Sequence, residues 1–177
     1  MVWIIISCLL FALTFWFIYR NQMLAPAFSY MGLLALSFAD NNLGQPYLPI
    51  NNTMLISWLC MTLAVMVTTI LQPEPVRRQT RGIWYMTIGS VTGMVVGLLG
   101  FSLTIDLSTL YSIMILATAA GCFFGYLLFT NTPRGAAVGF RSGNFFKYLL
   151  AKGFPIAIAI MMMGLVLVLI LAINTLD

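Results

Sequence analysis

Long apolar runs, separated by short stretches of polar residues and turn formers, set the pattern of the chain. They fall at about 2–19, 24–40, 53–71, 83–104, 108–129 and 154–173. Crossing the roughly 30 Å hydrocarbon layer takes about 20 apolar residues per helix, so the pattern predicts an all-α polytopic bundle of six spans. Together they make one transmembrane domain over 1–177, with no room left for a water-soluble one. The second run is the shortest. Pro26 falls in its first turn, where a proline costs a helix little because that N–H lacks an intrahelical partner, and a re-entrant segment is the alternative reading there. No basic residue precedes the first run and Tyr19-Arg20 follows it. That is the reverse of a secretory leader, so the run reads as a retained span.

Charge supplies a second test of the count. In a correctly counted bundle, Lys and Arg gather in the short cytoplasmic connections. Arg20 follows the first run, Arg77, Arg78 and Arg81 follow the third, and Arg134, Arg141, Lys147 and Lys152 lie between the fifth and sixth. All fall on one side of a six-span layout, while Asp40, Asp106 and Asp177 fall on the other. Adding or dropping a span would scatter these charges over both faces. Both termini are then expected on the non-cytoplasmic side, and the expected setting is a bacterial inner membrane. Aromatics agree: Trp16 and Tyr19 sit beside Arg20, Trp84 and Tyr85 beside Arg81, and Trp3 and Tyr111 near the opposite ends, as interfacial belts require. The outer connection 41–52, NNLGQPYLPINN, is irregular by its Gly44, Pro46 and Pro49.

Composition then removes whole classes of chemistry. Hydrophobic residues make up 62% of the chain and charged ones 7%, against roughly 25% charged in soluble domains. The net charge of +4 resides in membrane-flanking segments, which points to lipid headgroups and orientation rather than to nucleic acid. There is no histidine, so His-ligated metal and haem sites and His-activated nucleophiles are excluded. Cys8, Cys60 and Cys122 stand singly in apolar runs and read as small buried hydrophobes. The 12 methionines are scattered, with only Met61 beside a cysteine, which suits flexible apolar filling better than copper. No cofactor and no metal is expected.

Three constellations remain. Gly89, Gly93 and Gly97 recur every fourth residue in the fourth run, and Ala117, Gly121 and Gly125 do so in the fifth. Small-residue stripes of this kind let helix backbones approach closely in lipid. If the two helices turn back near Asp106, Gly89, Gly93 and Gly97 lie opposite 123, 119 and 115, so the stripes interleave by half a repeat. An intramolecular hairpin is the leading reading, and a contact with another copy or subunit the alternative. Asp40 and Asp106 are candidates for an outer vestibule, although helix-end solvation explains them as simply. The connection 131–153 joins Gly135, Gly139 and Gly143 to NFFKYLLAK. Its second half is expected to form an interfacial helix, with Phe145, Phe146, Leu149 and Leu150 toward the membrane and Lys147 and Lys152 toward anionic headgroups. With Arg77, Arg78, Arg81, Arg134 and Arg141 these lysines form a face for lipid or a partner.

No acid/base pair or activated nucleophile can be assembled from Glu74, three outer aspartates and lone cysteines, so an enzyme is the weakest expectation. Thr62, Thr68, Thr69, Thr87, Ser90 and Thr92 are the polar side chains within the spans that a pore would have to use. The leading expectation is a non-catalytic membrane subunit or assembly component, whose partners are the bilayer and other membrane subunits or its own copies. A small-solute transporter or channel, working as an oligomer, is the alternative.

Overall fold

In the computed structural model the described residues are 2–39, 48–74, 76, 81–100 and 107–176, without the side chains of 141 and 174–176. Every regular element among them is helical: α1 (Val2–Arg20), α2 (Ala25–Ser37), α3 (Asn52–Ile70), α4 (Ile83–Leu99), α5 (Leu107–Thr130), α6 (Phe145–Tyr148) and α7 (Phe154–Leu176). Four helical stretches are long and apolar enough to cross a membrane, namely Val2–Arg20, Asn52–Ile70, Leu107–Thr130 and Phe145–Ile173. They mark the chain as a membrane protein. Two shorter apolar helices, Ala25–Ser37 and Ile83–Leu99, accompany them.

α1 and α2 form a tight hairpin. Pro26 occupies the first turn of α2. Phe17 stacks on Phe28 with ring centroids 4.3 Å apart, and the Phe11 ring lies over Gly32, where even a β-carbon would crowd it. Ser7 Oγ donates to the Gly32 carbonyl at 2.8 Å. α2 has 13 residues, or about 20 Å at 1.5 Å per residue, less than the hydrocarbon thickness. It is shorter than the 24–40 expectation because it is sheathed by protein: Ala25, Ser29, Leu33 and Leu36 are buried, and Ser29 Oγ donates to the Ala159 carbonyl of α7 at 2.8 Å. A segment enclosed by other helices need not span the lipid unaided.

α7 fills the centre. In the span that contains it, 72% of the residues are buried, against 17%, 22% and 33% for the other three long helices. Ile156, Ile160, Met162 and Leu165 are essentially inaccessible, and α2, α3, α4 and α5 all pack on this one helix. Its hydrophobicity is therefore spent on protein neighbours rather than lipid. In a bilayer such packing holds through close van der Waals contact, since lipid tails are as apolar as the core itself.

The connection 131–153 departs from its expectation. Short 3₁₀ turns at Ala136–Val138 and Phe140–Ser142 lead into α6, and a π-helical turn, Leu149–Gly153, joins α6 to α7 without a break. No separate interfacial helix forms. The stretch from Phe145 is the beginning of the central helix, so Phe145, expected to dip into the membrane, is buried against Tyr126 instead, with rings 4.7 Å apart. Phe146 remains exposed. Lys152 departs from its expected place as well. It is not directed to headgroups but is 4% exposed, inside the bundle, because the π turn rotates its side chain toward the α1–α2 connection.

Candidate functional site

Two places concentrate what chemistry the chain has, and both lie at the end of the bundle that carries the basic residues. Tyr19 of α1 meets Trp84 of α4 with rings 5.8 Å apart, the Tyr148 hydroxyl donates to the Arg81 carbonyl, and Lys152 reaches Gln22. These contacts draw Arg20, Arg81 and Lys152 to one end.

The first place is the α4–α5 hairpin. A β-carbon on Gly93 would collide with the Ala117 carbonyl oxygen, one on Gly89 with that of Gly121, and one on Gly125 with that of Tyr85. Gly89 also abuts Gly125, and Gly97 meets the Met114 backbone and the Ala117 side chain. Gly89 and Gly93 of α4 thus nest between successive small residues of α5, backbone on backbone. On the outward side this seam leaves an open groove of about 700 Å³, with Gly89, Gly93 and Gly121 in its lining and exposed Ile88, Val96 and Phe124 beside them. Where the hairpin ends toward the basic residues, Arg81, Tyr85, Thr132 and Arg134 line a second cleft of about 430 Å³. Both arginines are exposed. Gly82, with φ of +85°, turns the chain into α4 there, and the Phe129 ring fills the space any side chain would need.

The second place is buried. Lys152 Nζ donates to Gln22 Oε1 at 2.6 Å, and Gln22 Nε2 donates to the Ile18 carbonyl at 2.6 Å. Gln22 therefore links the last turn of α1 to the π turn. A π turn shifts the backbone hydrogen-bond register, and side chains take up the groups this frees. The Cys122 thiol donates to the Gly153 carbonyl at 3.4 Å. One turn further along α5, the Tyr126 hydroxyl donates to the Val138 carbonyl at 2.8 Å, with the Phe145 carbonyl at 3.1 Å. Tyr126 and Tyr148, rings 5.6 Å apart and stacked, are both fully buried. This aromatic and polar cluster pins the 131–148 segment across the end of the hairpin.

No family model matches the chain, and neither the curated proteins nor the solved structures compared with it show a significant similarity.

Of the basic residues expected to form one face, the structure brings Arg81 and Arg134 together in the cleft. It leaves Lys147 exposed on α6 and encloses Lys152. Asp40 and Asp106, the vestibule candidates, and Arg77 and Arg78 lie outside the described residues, as does the side chain of Arg141. Four of the six hydroxyls considered for a pore turn back on their own helices: Thr62 onto the Trp58 carbonyl, Thr68 and Thr69 onto that of Val65, and Thr87 onto that of Ile83, while Thr92 is exposed. Ser90 differs. Among the described residues its fully buried hydroxyl oxygen makes no hydrogen bond of good geometry, although the Cys122 thiol lies near it. An unmet buried hydroxyl costs about 1–3 kcal/mol, so Ser90→Ala is expected to stabilise the bundle by about 1 kcal/mol, read as a higher thermal midpoint in detergent.

Gln22, Tyr126 and Tyr148 are the residues that sequence reasoning missed. Their signal is weak but present: Gln22 interrupts a connection that needs only turn formers, and each tyrosine lies where a phenylalanine would satisfy the hydrophobic pattern. A buried hydroxyl or amide in lipid must be satisfied by a partner.

Proposed function

We propose that this chain is a six-span protein of a bacterial inner membrane, with both of its ends on the non-cytoplasmic side, serving as a non-catalytic subunit or assembly component of a larger membrane complex. The observation that carries this reading is the filled centre. α7 occupies the axis where a conduit would run, with its Ile156, Ile160, Met162 and Leu165 buried among the surrounding helices, and the intramembrane hydroxyls at Thr62, Thr69, Thr87 and Thr118 bond within their own helices. Meanwhile α3 keeps only 22% of its span buried and exposes Ile56, Leu63 and Val67, an outer helix available to neighbours. Six crossings are supported by the two shorter apolar helices and by the grouping of Arg20, Arg81 and Arg134 at one end.

The test is extraction from the native membrane at endogenous level into nanodiscs, followed by native mass spectrometry. Foreign subunits at fixed stoichiometry are expected, and a lone monomer or homo-oligomer would sink the reading. Orientation is tested by single cysteines placed at the exposed Pro133 and Pro49 in a cysteine-free background. An impermeant maleimide added to intact cells should label the second and not the first.

A transporter of small solutes, acting as an oligomer, is the second reading. It draws on Lys152, because cations enclosed within membrane bundles commonly mark substrate or ion paths. Substrate flux in vesicles that Lys152→Met abolishes, with the fold retained, would favour it.

A further inference from the structure

We propose that the outward face of the α4–α5 hairpin binds one anionic phospholipid, with its phosphate held between Arg81 and Arg134 and an acyl chain laid along the glycine groove. The two cavities described above adjoin at Tyr85, which lines both. One end is cationic: two exposed guanidinium groups and the Thr132 side chain surround the cleft, and the residues lining it include no acid. Guanidinium groups are the side chains best shaped for phosphate. The other part is apolar and the right length. From Tyr85 to Val96 the groove follows α4 for about 16 Å at 1.5 Å per residue, close to the ~15 Å of hydrocarbon in one leaflet. Its walls are Trp84, Ile88, Val96, Phe124 and Leu128, and its floor is the glycine seam. Trp84 and Tyr85 stand at the junction of the two parts, the level at which aromatic side chains mark the headgroup boundary.

A second copy of the chain fits this face less well. Two copies related by an axis along the membrane normal would set one Arg81–Arg134 pair against the other, and like charges so placed repel. A lipid phosphate complements the same pair.

The experiment uses the purified full chain in detergent, with dioleoyl phosphatidylglycerol and dioleoyl phosphatidylcholine titrated separately and bound lipid counted by native mass spectrometry. One phosphatidylglycerol is expected to bind at least tenfold more tightly than phosphatidylcholine. The double variant R81Q/R134Q should erase that preference, and R81K/R134K should keep most of it. Ala120 lines the groove and is exposed, outside the glycine seam, so Ala120→Phe should weaken both lipids tenfold by filling the channel, while α-helical circular dichroism stays unchanged. Should Ala120→Phe fail to fold, Ala120→Leu takes its place, and the arginine variants decide independently because both side chains are exposed. Excess glycerol phosphate should not displace the lipid. The proposal is overturned if R81Q/R134Q retains the preference, if lipid binding survives a folded groove variant, if glycerol phosphate competes as well as the lipid, or if the face holds a dimer that the groove variants dissolve.

Discussion

Replacing Gly93 with leucine is expected to leave the α4–α5 hairpin unable to close. Even a single methyl group at this position would meet the Ala117 carbonyl oxygen, and the Thr118 Cα stands close by. Both are backbone atoms that no rotamer change can move aside. Overpacking a core commonly costs 1–3 kcal/mol when side chains can adjust. Here the helices themselves must separate, and every neighbouring glycine contact along the seam is lost with them. Gly93→Leu should therefore cost more than about 4 kcal/mol, the range reserved for a broken core, and Gly93→Ala about half as much. Gly121→Leu should match Gly93→Leu, because a β-carbon there strikes the Gly89 carbonyl. The measurement is yield of monodisperse protein by size-exclusion chromatography, then thermal unfolding of what survives. Gly143→Ala is the control. Its φ is +67° but nothing lies within 4 Å, so only the backbone penalty of about 1–2 kcal/mol applies. If Gly93→Leu behaves like Gly143→Ala, the seam does not hold the hairpin.

Gln22→Leu is expected to destabilise the protein by about 2–4 kcal/mol, since it leaves the buried Lys152 ammonium without the amide oxygen that it contacts at 2.6 Å. Lys152→Met keeps the length of the side chain and removes the charge, so it should cost less. The informative variant is the double one. With both members of the contact apolar, neither keeps a polar group facing a lost partner, and Gln22→Leu/Lys152→Met should be more stable than Gln22→Leu alone, with a coupling of about 1–3 kcal/mol. A residual loss remains, because Gln22 also donates to the Ile18 carbonyl at the end of α1. Denaturation of the four proteins in one detergent gives the coupling directly. Simple additivity of the two changes would mean that the contact carries no stability.

How far these features can be read from the residues depends on the distance over which each is determined. The glycine seam is local: a four-residue spacing repeats on two adjacent helices joined by a short turn, so register follows from counting. The apolar runs are local in the same sense, and each of the six has a helix in the structure. Their ends are set otherwise. α2 stops at Ser37 because protein surrounds it, and the last helix begins at Phe145 because Tyr126 and Tyr148 supply an interior for residues that read as amphipathic. Lys152 shows the limit most plainly. In sequence it is one more cation in a basic connection. Only the approach of Gln22, 130 positions away along the chain, together with the π turn that rotates it inward, converts it into part of the core. The cleft between Arg81 and Arg134 is likewise a product of the hairpin closing, since the two arginines belong to different connections.

The central position of α7 bears on how the protein is made. The other long helices precede it in the chain, so each is synthesised before the segment that α2, α3, α4 and α5 all lean on. Until then the two hairpins, α1–α2 and α4–α5, can form as independent units, but they surround an unfilled seam that lipid must occupy. Arrival of α7 displaces that lipid and locks the hairpins together. Chains interrupted before residue 154 would reach the membrane with the seam open, as ready substrates for membrane proteases, whereas completed chains would resist them.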